Sequence, residues 1–300
     1  MFARKQNNKK VLTSRNSKYI LACGCSFTQS YLISPCVPRE KSMFVRWPEL
    51  LGQKLGRDVK NLAESGRGNN WIYRTLVSDI IKNHHLIDLV VVGWSEPSRY
   101  DIWGIQFTPL ADTYNRQNEE QKKLWAVKSD PMIAAEEQFH EQLFESYVWD
   151  YWHVKIPYIL PMDNILTAQI LDTLKYMLEI QELCKIFNIP LIQSSMLGMI
   201  DPHQIHFRMA RSPNRPPMLD RFVPKDMINH IITKEEFLSL EPKYNMGYPF
   251  MKDLGGFDFH HDIIHSYSGL QVHDQDPHPN EAGHKLIAEM YYEHYKKNFT

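Results

Sequence analysis

The chain contains a serine, a histidine and an aspartate whose types suit nucleophilic attack on a carbonyl carbon. Ser26 comes just after the apolar run at 19–24, within the letters Gly-Cys-Ser-Phe-Thr. Asp276 and His278 lie near the C-terminus, two residues apart in Asp-Pro-His-Pro-Asn. A serine oxygen becomes nucleophilic when a histidine takes its proton, and a carboxylate orients that histidine. The sequence therefore predicts a catalytic triad of Ser26, His278 and Asp276.

The position of Ser26 depends on the strand that precedes it. Residues 19–24 are apolar enough for a short buried strand, and the run stops at Gly24. Open α/β sheets bind their ligands beyond the carboxyl ends of their strands. Gly24 permits a sharp turn there, because glycine adopts backbone conformations that other residues avoid. A Gly-x-Ser motif alone also fits an ordinary strand followed by a polar turn, so the prediction requires the other two residues.

The position of His278 depends on the proline that follows it. Pro279 biases His278 away from helical backbone angles and suits the first turn of a last helix. His278 is thus expected to project from a loop at the helix entrance. Asp276 lies two residues earlier in an extended stretch, so both side chains point to the same side. A polar loop that merely caps a helix remains the alternative, and Asp274 is a less favoured partner for His278.

The spacing of apolar residues predicts an α/β protein. Three strand-loop-helix units with glycine and polar residues at each strand end indicate a parallel sheet with right-handed crossovers. We therefore predict a three-layer α/β/α fold with a flavodoxin-like parallel sheet. The predicted strands are 19–24, 58–62, 86–92 and 189–194, and the predicted helices are 47–56, 71–83, 164–187 and one that begins at Pro279.

Two long segments do not follow this pattern, and a third lies at the N-terminus. Residues 1–17 are basic and are predicted to form a mobile arm, while residues 18–300 form a single domain. Insertions are predicted at about 98–161, with one helical segment near 134–149, and at about 196–260. Connections of this length are usually lids or binding loops. The aromatic residues of the first insertion could stack on a sugar ring, although a small core is favoured: Trp103, Trp125, Trp149, Tyr151 and Trp152.

The composition excludes several classes of partner. The formal charge of −1 favours neither nucleic acid nor an anionic membrane as a partner. No apolar run reaches the roughly 18 residues that a membrane span requires. Four cysteines without disulfide-scaffold spacing, and no secretion signal, favour a cytoplasmic location, although a virion protein would look the same. The histidines between 260 and 284 show no metal-ligand spacing, so we predict neither a metal nor another cofactor.

These motifs together resemble the SGNH hydrolases of the GDSL esterase superfamily. In that family the first-block serine is the nucleophile and its N–H donates to the oxyanion, which assigns both roles to Ser26. The second block is matched by 61–66 and implies a second donor, the N–H of Gly66, with Asn69 in the same loop. The last block is matched by 276–280, followed by Ala-Gly-His at 282–284. The resemblance implies the SGNH hydrolase fold.

The chain departs from the family pattern at three places. Cys25 stands where the first block usually has aspartate. The third block usually reads Gly-x-Asn-Asp and its asparagine donates to the oxyanion, whereas residues 93–96 read Gly-Trp-Ser-Glu. Ser95 could donate from a shorter side chain, or the oxyanion hole could rely on backbone groups together with Asn69. Asp276 lies two residues before His278, while the family commonly spaces them by three.

The predicted function is a serine esterase that hydrolyses small acyl esters, such as O-acetyl groups on carbohydrate. An O-acyltransferase on the same scaffold is one alternative, and a non-catalytic binding or structural module, for instance in a viral particle, is another. Trp94 lies in the third block, Arg67 and Arg99 lie beside the second and third blocks, and all three are predicted to contact the substrate. Either arginine could instead pair with a neighbouring glutamate, Glu64 or Glu96. The expected partner is a small-molecule or glycan ester, and the oligomeric state is left open.

Overall fold

A parallel five-stranded sheet lies at the centre of the molecule. The computed structural model describes residues 18–30, 34, 36–38, 42–97, 101–102, 105–106, 162–198, 229–250, 252–273 and 276–300. The strands of the sheet are β1 (Tyr19–Gly24), β2 (Asp58–Asn61), β3 (Ile87–Trp94), β6 (Leu191–Ser195) and β7 (Asn245–Met246). Two antiparallel hairpins complete the strands: β4 (Asp101–Ile102) with β5 (Ile105–Gln106), and β8 (Gln271–His273) with β9 (Asp276–Pro279).

The strand order in the sheet is β2-β1-β3-β6-β7, and every neighbouring pair is parallel. The chain therefore starts in the middle, moves to one edge and then winds to the other, as in flavodoxin-like folds. The carboxyl ends of β1 and β3 lie side by side, with Gly24 opposite Gly93. The predicted α/β fold with a flavodoxin-like parallel sheet is confirmed.

Helices cover both faces of the sheet. They are α1 (Trp47–Leu55), α2 (Asn69–Asn83), α3 (Met162–Ile186), α4 (Glu235–Leu238) and α5 (Glu281–Phe299), with 3₁₀ turns at His84–Leu86 and Lys252–Leu254 and a π-helical segment at Phe259–Ile264. α2 and α3 pack together on one side, and α1 packs with α5 on the other. None of the described helices is long and apolar enough to cross a membrane.

Both faces of the sheet carry apolar side chains, which is why helices cover both of them. Successive side chains of a strand point to opposite faces. Leu21, Val90 and Val92 pack with the helices α2 and α3. Ile20 and Val91 pack with α1 and α5. All five are fully buried, so these strands read as continuous apolar runs rather than as alternating patterns.

The structure corrects the predicted start of the last helix. α5 begins at Glu281 rather than at Pro279, because the side chain of Asn280 accepts a hydrogen bond from the Gly283 N–H at 3.0 Å and caps the helix. Pro279 instead closes strand β9. His278 therefore lies on a short strand that precedes the helix, and not on a loop.

The segment at 196–260 contributes to the sheet, which the sequence did not indicate. It contains α4 and the edge strand β7, and β7 pairs with β6 through Gln193 and Ser194. A two-residue strand is too short to show a period. The basic arm at 1–17 and the helical segment predicted at 134–149 lie outside the described residues.

Candidate active site

Ser26, His278 and Asp276 form one hydrogen-bonded chain. The Oγ of Ser26 lies 2.8 Å from Nε2 of His278, although the two residues are 252 positions apart in sequence. Nδ1 of His278 lies 2.5 Å from Oδ1 of Asp276. A carboxylate only accepts hydrogen bonds, so Nδ1 carries a proton and Nε2 presents its lone pair to the serine hydroxyl. This geometry fits a nucleophile, a general base and an orienting carboxylate.

The turn after β1 holds Ser26 in place. The carbonyl of Cys25 accepts hydrogen bonds from the N–H groups of Thr28 and Gln29, at 2.9 and 3.1 Å. The amide of Asn61, at the end of β2, donates to the Thr28 carbonyl at 2.8 Å. The N–H of Glu64 donates to the Gly24 carbonyl at 3.2 Å. The loop after β2 therefore braces the serine turn from the neighbouring strand.

Two glycines make room for the side chain of Thr28 beneath this turn. A Cβ on Gly24 would lie 2.4 Å from Oγ1 of Thr28 and 2.6 Å from the Gly93 carbonyl oxygen. A Cβ on Gly93 would lie 2.3 Å from the same Oγ1 and 2.7 Å from Cγ of Met196. The close approach of β1, β3 and the serine turn thus requires glycine at both positions.

Asp276 is buried and remains ionised. Burial by itself raises the pKa of this carboxyl, but hydrogen bonds from His278 and Ser34 lower the pKa to about 2. The backbone N–H of His278 also donates to Oδ1 of Asp276, at 3.2 Å. The guanidinium of Arg46, which is buried and lies 3.1 Å from Nε2 of His284, adds a positive charge near the carboxylate.

The two backbone N–H groups that were predicted as oxyanion donors are unpaired in the part of the chain that the structure describes. The N–H groups of Ser26 and Gly66 have no acceptor in the described part of the chain. Gly66 is buried in the loop after β2 and has a φ of 76°, a left-handed conformation that favours glycine. The roles predicted for both groups stay predictions, and their unpaired N–H groups are compatible with them.

Asn69 holds the backbone of Ser95 in the loop after β3. Asn69 donates to the Ser95 carbonyl at 2.9 Å and to Thr173 at 3.1 Å, and its Oδ1 accepts from the Ser95 N–H at 2.8 Å. Both amide hydrogens of Asn69 are therefore used, so its side chain positions Ser95 and has none left for an oxyanion. The buried Oγ of Ser95 has no partner among the described residues.

The predicted substrate-binding residues have other environments. Trp94 has no exposed surface: its indole N–H donates to Gln193 Oε1 at 3.0 Å, and its ring packs in the core. The prediction that Trp94 contacts substrate is therefore wrong, since the side chain of this last β3 residue points inwards. Arg67 pairs with Glu64 at 2.7 Å and lies over the Trp71 ring. Arg99 lies outside the described residues.

A second set of polar residues lies beside the triad and was not predicted to act there. His260, on the π-helical segment, contacts the ring of Phe27 at a centroid distance of 5.6 Å, and His278 contacts the same ring at 5.2 Å. The sequence suggested only metal binding as a possible role for His260. No three His, Cys, Asp or Glu side chains of the described residues converge on a point where a metal could bind.

A groove of about 550 Å³ lies near the site but does not contain the triad. The residues that line it come from the segment before α1 and from the start of α5, and they include Met43, Phe44 and Lys285. Ser26 and His278 therefore lie outside the lining of this groove.

No protein-family model and no curated protein matches the chain. Among solved structures, the chain is similar to one from Desulfitobacterium hafniense DCB-2 described as a lipolytic protein of the G-D-S-L family, with 13% identity and a TM-score of 0.38, covering 93% of this chain and 99% of that chain. It is also similar to protein YxiM from Bacillus subtilis, with 14% identity and a TM-score of 0.39, covering 94% of this chain and 56% of that chain. The interpretation of the site depends on its own geometry.

Proposed function

We propose that this protein is a serine esterase that hydrolyses small acyl esters through an acyl-enzyme. The observation that carries the proposal is the chain from Ser26 Oγ to His278 Nε2 at 2.8 Å and from His278 Nδ1 to Asp276 at 2.5 Å. A separation beyond about 6 Å would have favoured a non-catalytic module, because a base must reach the proton it removes. The observed contact instead supports a working nucleophile.

Acylation begins when Ser26 Oγ attacks the carbonyl carbon of the ester and Nε2 of His278 takes the serine proton. Asp276 holds the ring in the tautomer that can accept this proton and stabilises the imidazolium that forms. His278 then gives the proton to the leaving alkoxide, so an alcohol departs and the acyl group stays on Ser26. The low pKa of Asp276 keeps its charge in place throughout this step.

The tetrahedral intermediate needs hydrogen-bond donors at its oxyanion. We assign the backbone N–H groups of Ser26 and Gly66 to this task, and the hydroxyl of Ser95 as a third donor. One such donor is worth about 2.7–4 kcal/mol of transition-state stabilisation in other hydrolases. Water then attacks the acyl carbon while His278 takes a proton from it, and His278 returns that proton to Ser26 Oγ as the bond to the acyl carbon breaks and the carboxylic acid leaves.

The proposal is tested by hydrolysis of p-nitrophenyl acetate and butyrate. We expect turnover by the unmodified protein and a loss of about 10³-fold or more in kcat for Ser26→Ala and for His278→Ala. Ser30→Ala is the matched control, because Ser30 lies directly after the same turn but donates to Glu49 at 2.6 Å. It is expected to retain the full rate.

Equal background rates for the unmodified protein, Ser26→Ala and His278→Ala would contradict the esterase proposal. Trapping of the acyl group on Ser26, observed by mass spectrometry after a short reaction, would support the acyl-enzyme directly. Product analysis with and without an added sugar acceptor then separates hydrolysis from acyl transfer, since both share this intermediate.

A further inference from the structure

A second chain of a carboxylate and histidines lies next to the proposed triad. Nδ1 of His261 lies 3.0 Å from Oδ1 of Asp258, which also accepts the His261 backbone N–H at 2.8 Å. Nε2 of His261 lies 2.9 Å from Nδ1 of His260. Nε2 of His260, at the end of this chain, is buried and has no hydrogen-bond partner among the described residues.

For a ring that carries a single proton, the hydrogen bonds determine which nitrogen holds it. Asp258 can only accept, so His261 donates to it from Nδ1. With one proton on each ring, Nε2 of His261 has a lone pair and accepts the Nδ1 proton of His260. Nε2 of His260 then also carries a lone pair and no proton. Burial, together with the neighbouring His261 and His265, lowers the pKa of His260 to about 3, so the ring stays neutral at ordinary pH.

The ring of His260 lies close to the residues that carry the proposed chemistry. Its ring meets the edge of Phe27, the residue directly after the nucleophile, at an interplanar angle of 89°. The π-helical segment that carries it packs against β9, which carries Asp276 and His278. The charged and titratable groups around the ring are Glu96, His261, His265 and His278.

A buried acceptor without a donor costs free energy. A ligand whose hydroxyl donates a hydrogen bond to this lone pair removes that cost. We propose that His260 accepts a hydrogen bond from a hydroxyl on the alcohol part of the ester. The substrate is then a partial ester of a polyol, such as a sugar or glycerol. This inference rests on the proposed esterase function and names its substrate class.

The test compares glycerol 1-monoacetate with propyl acetate, which has the same three-carbon chain without the free hydroxyls. We expect the unmodified protein to have a kcat/KM at least ~10-fold higher for the glycerol ester, as the loss of one hydrogen bond to a fixed partner implies. In His260→Phe the ratio should fall to about one. The ratio of the two esters cancels any general loss of activity in the variant.

Two further variants separate hydrogen bonding from a structural effect. His260→Gln should restore part of the preference, because its amide oxygen can accept near the position of Nε2. His265→Gln is the matched control: it lies on the same segment and bonds to Gln271 at 2.7 Å, so it should keep the full ratio.

Equal kcat/KM values for the two esters in the unmodified protein would overturn the role of His260 while leaving the triad intact. So would a preference for the glycerol ester that is undiminished in His260→Phe. If no ester is hydrolysed in a Ser26-dependent manner, the esterase proposal itself fails, and the inference fails with it. ¹⁵N NMR of the unmodified protein gives a measurement that needs no variant. A bare Nε2 on His260 at pH 7 is expected, and a proton found there would refute the acceptor role.

Discussion

At the scale of single residues, the burial of Asp276 determines how the proposed triad is organised. A buried carboxylate is costly unless it is hydrogen-bonded, and this one accepts from the ring of His278, its backbone N–H and Ser34. Those bonds leave the imidazole with one allowed tautomer. Asp276 thus stabilises the one form of His278 that can take a proton from Ser26.

Asp276→Asn should therefore lower kcat with little change in KM. The amide can donate to Nδ1, which favours the tautomer with a proton on Nε2, and that form cannot act as the base. A loss on the order of 10³–10⁴-fold is expected from the corresponding change in other serine hydrolases. Steady-state kinetics on p-nitrophenyl acetate measure it, with Asp172→Asn on the exposed face of α3 as the control. A rate within threefold of the unmodified protein would exclude this role for Asp276.

At the scale of secondary-structure elements, the ends of β1 and β3 and the turn between Cys25 and Gln29 act as one unit. The side chain of Thr28 lies against both strand ends, and its Oγ1 is the nearest atom to a Cβ built on either Gly24 or Gly93. The next atom differs: it is a backbone oxygen for Gly24 and a flexible methionine side chain for Gly93. The clash of an added Cβ is therefore easier to relieve at Gly93 than at Gly24.

Gly24→Ala and Gly93→Ala should each destabilise the protein by about 1–3 kcal/mol, as overpacking does in other cores. Adding Thr28→Ala should restore much of the stability of Gly93→Ala, because Met196 can move and the clash with Oγ1 is gone. The same second change should not restore Gly24→Ala, because the Gly93 carbonyl oxygen remains 2.6 Å from the new Cβ.

Urea unfolding and the esterase rate measure this difference for the two single glycine variants and for the same two combined with Thr28→Ala. Thr28→Ala alone is the reference, and it should be mild, since Oγ1 has no partner among the described residues. Equal rescue of both glycine variants would show that the backbone contact between β1 and β3 does not limit the turn.

At the scale of the whole molecule, buried histidines make stability depend on pH. Burial lowers the pKa of His260 from 6.5 to about 3 and lowers the pKa of His284 well below 6.5. Between pH 6.5 and the lowered pKa of each histidine, the unfolded chain binds protons that the folded chain does not. Stability therefore falls as the pH falls below about 6.5. Asp276 acts in a lower range: its stabilisation is complete above pH 3.8 and is lost as the pH falls through about 2.

His260→Gln should therefore make the protein less sensitive to acid. Between pH 7 and pH 4.5 the unmodified protein should lose roughly 2–3 kcal/mol more free energy of unfolding than this variant, given one histidine that titrates only when unfolded. Urea unfolding at the two pH values measures the difference, and the exposed His265→Gln serves as the control. If both variants lose as much as the unmodified protein, His260 titrates normally in the folded state.

Local sequence patterns were sufficient for most of the sheet. The strands β1, β2, β3 and β6 are apolar runs next to glycines or polar loops, and each was predicted within a few residues. β7 was missed because two residues, Asn245 and Met246, have no period. Pro279 was placed in the last helix because proline suits a first turn, but Asn280 caps the helix one residue later.

In the candidate site, too, some residues could be predicted from the sequence and others could not. Ser26, Asp276 and His278 were identified from residue types and motif order, and their catalytic role stays a prediction that the observed contacts support. Trp94 was assigned to the substrate because of its place in the third block, whereas its side chain packs in the core with α2 and α3. The role of His260 could not be inferred, because nothing local links it to Phe27.

By itself, the sequence determined which segments are buried strands and helices and which residues could do the chemistry. Both follow from side-chain type and spacing, which act over a few residues. Tertiary structure alone decided that Ser26 meets His278, that Asn69 holds Ser95, and that the Asp258–His261–His260 chain ends beside the nucleophile. These contacts join residues far apart in the chain, and their partners are set by how helices and strands pack on the two faces of the sheet.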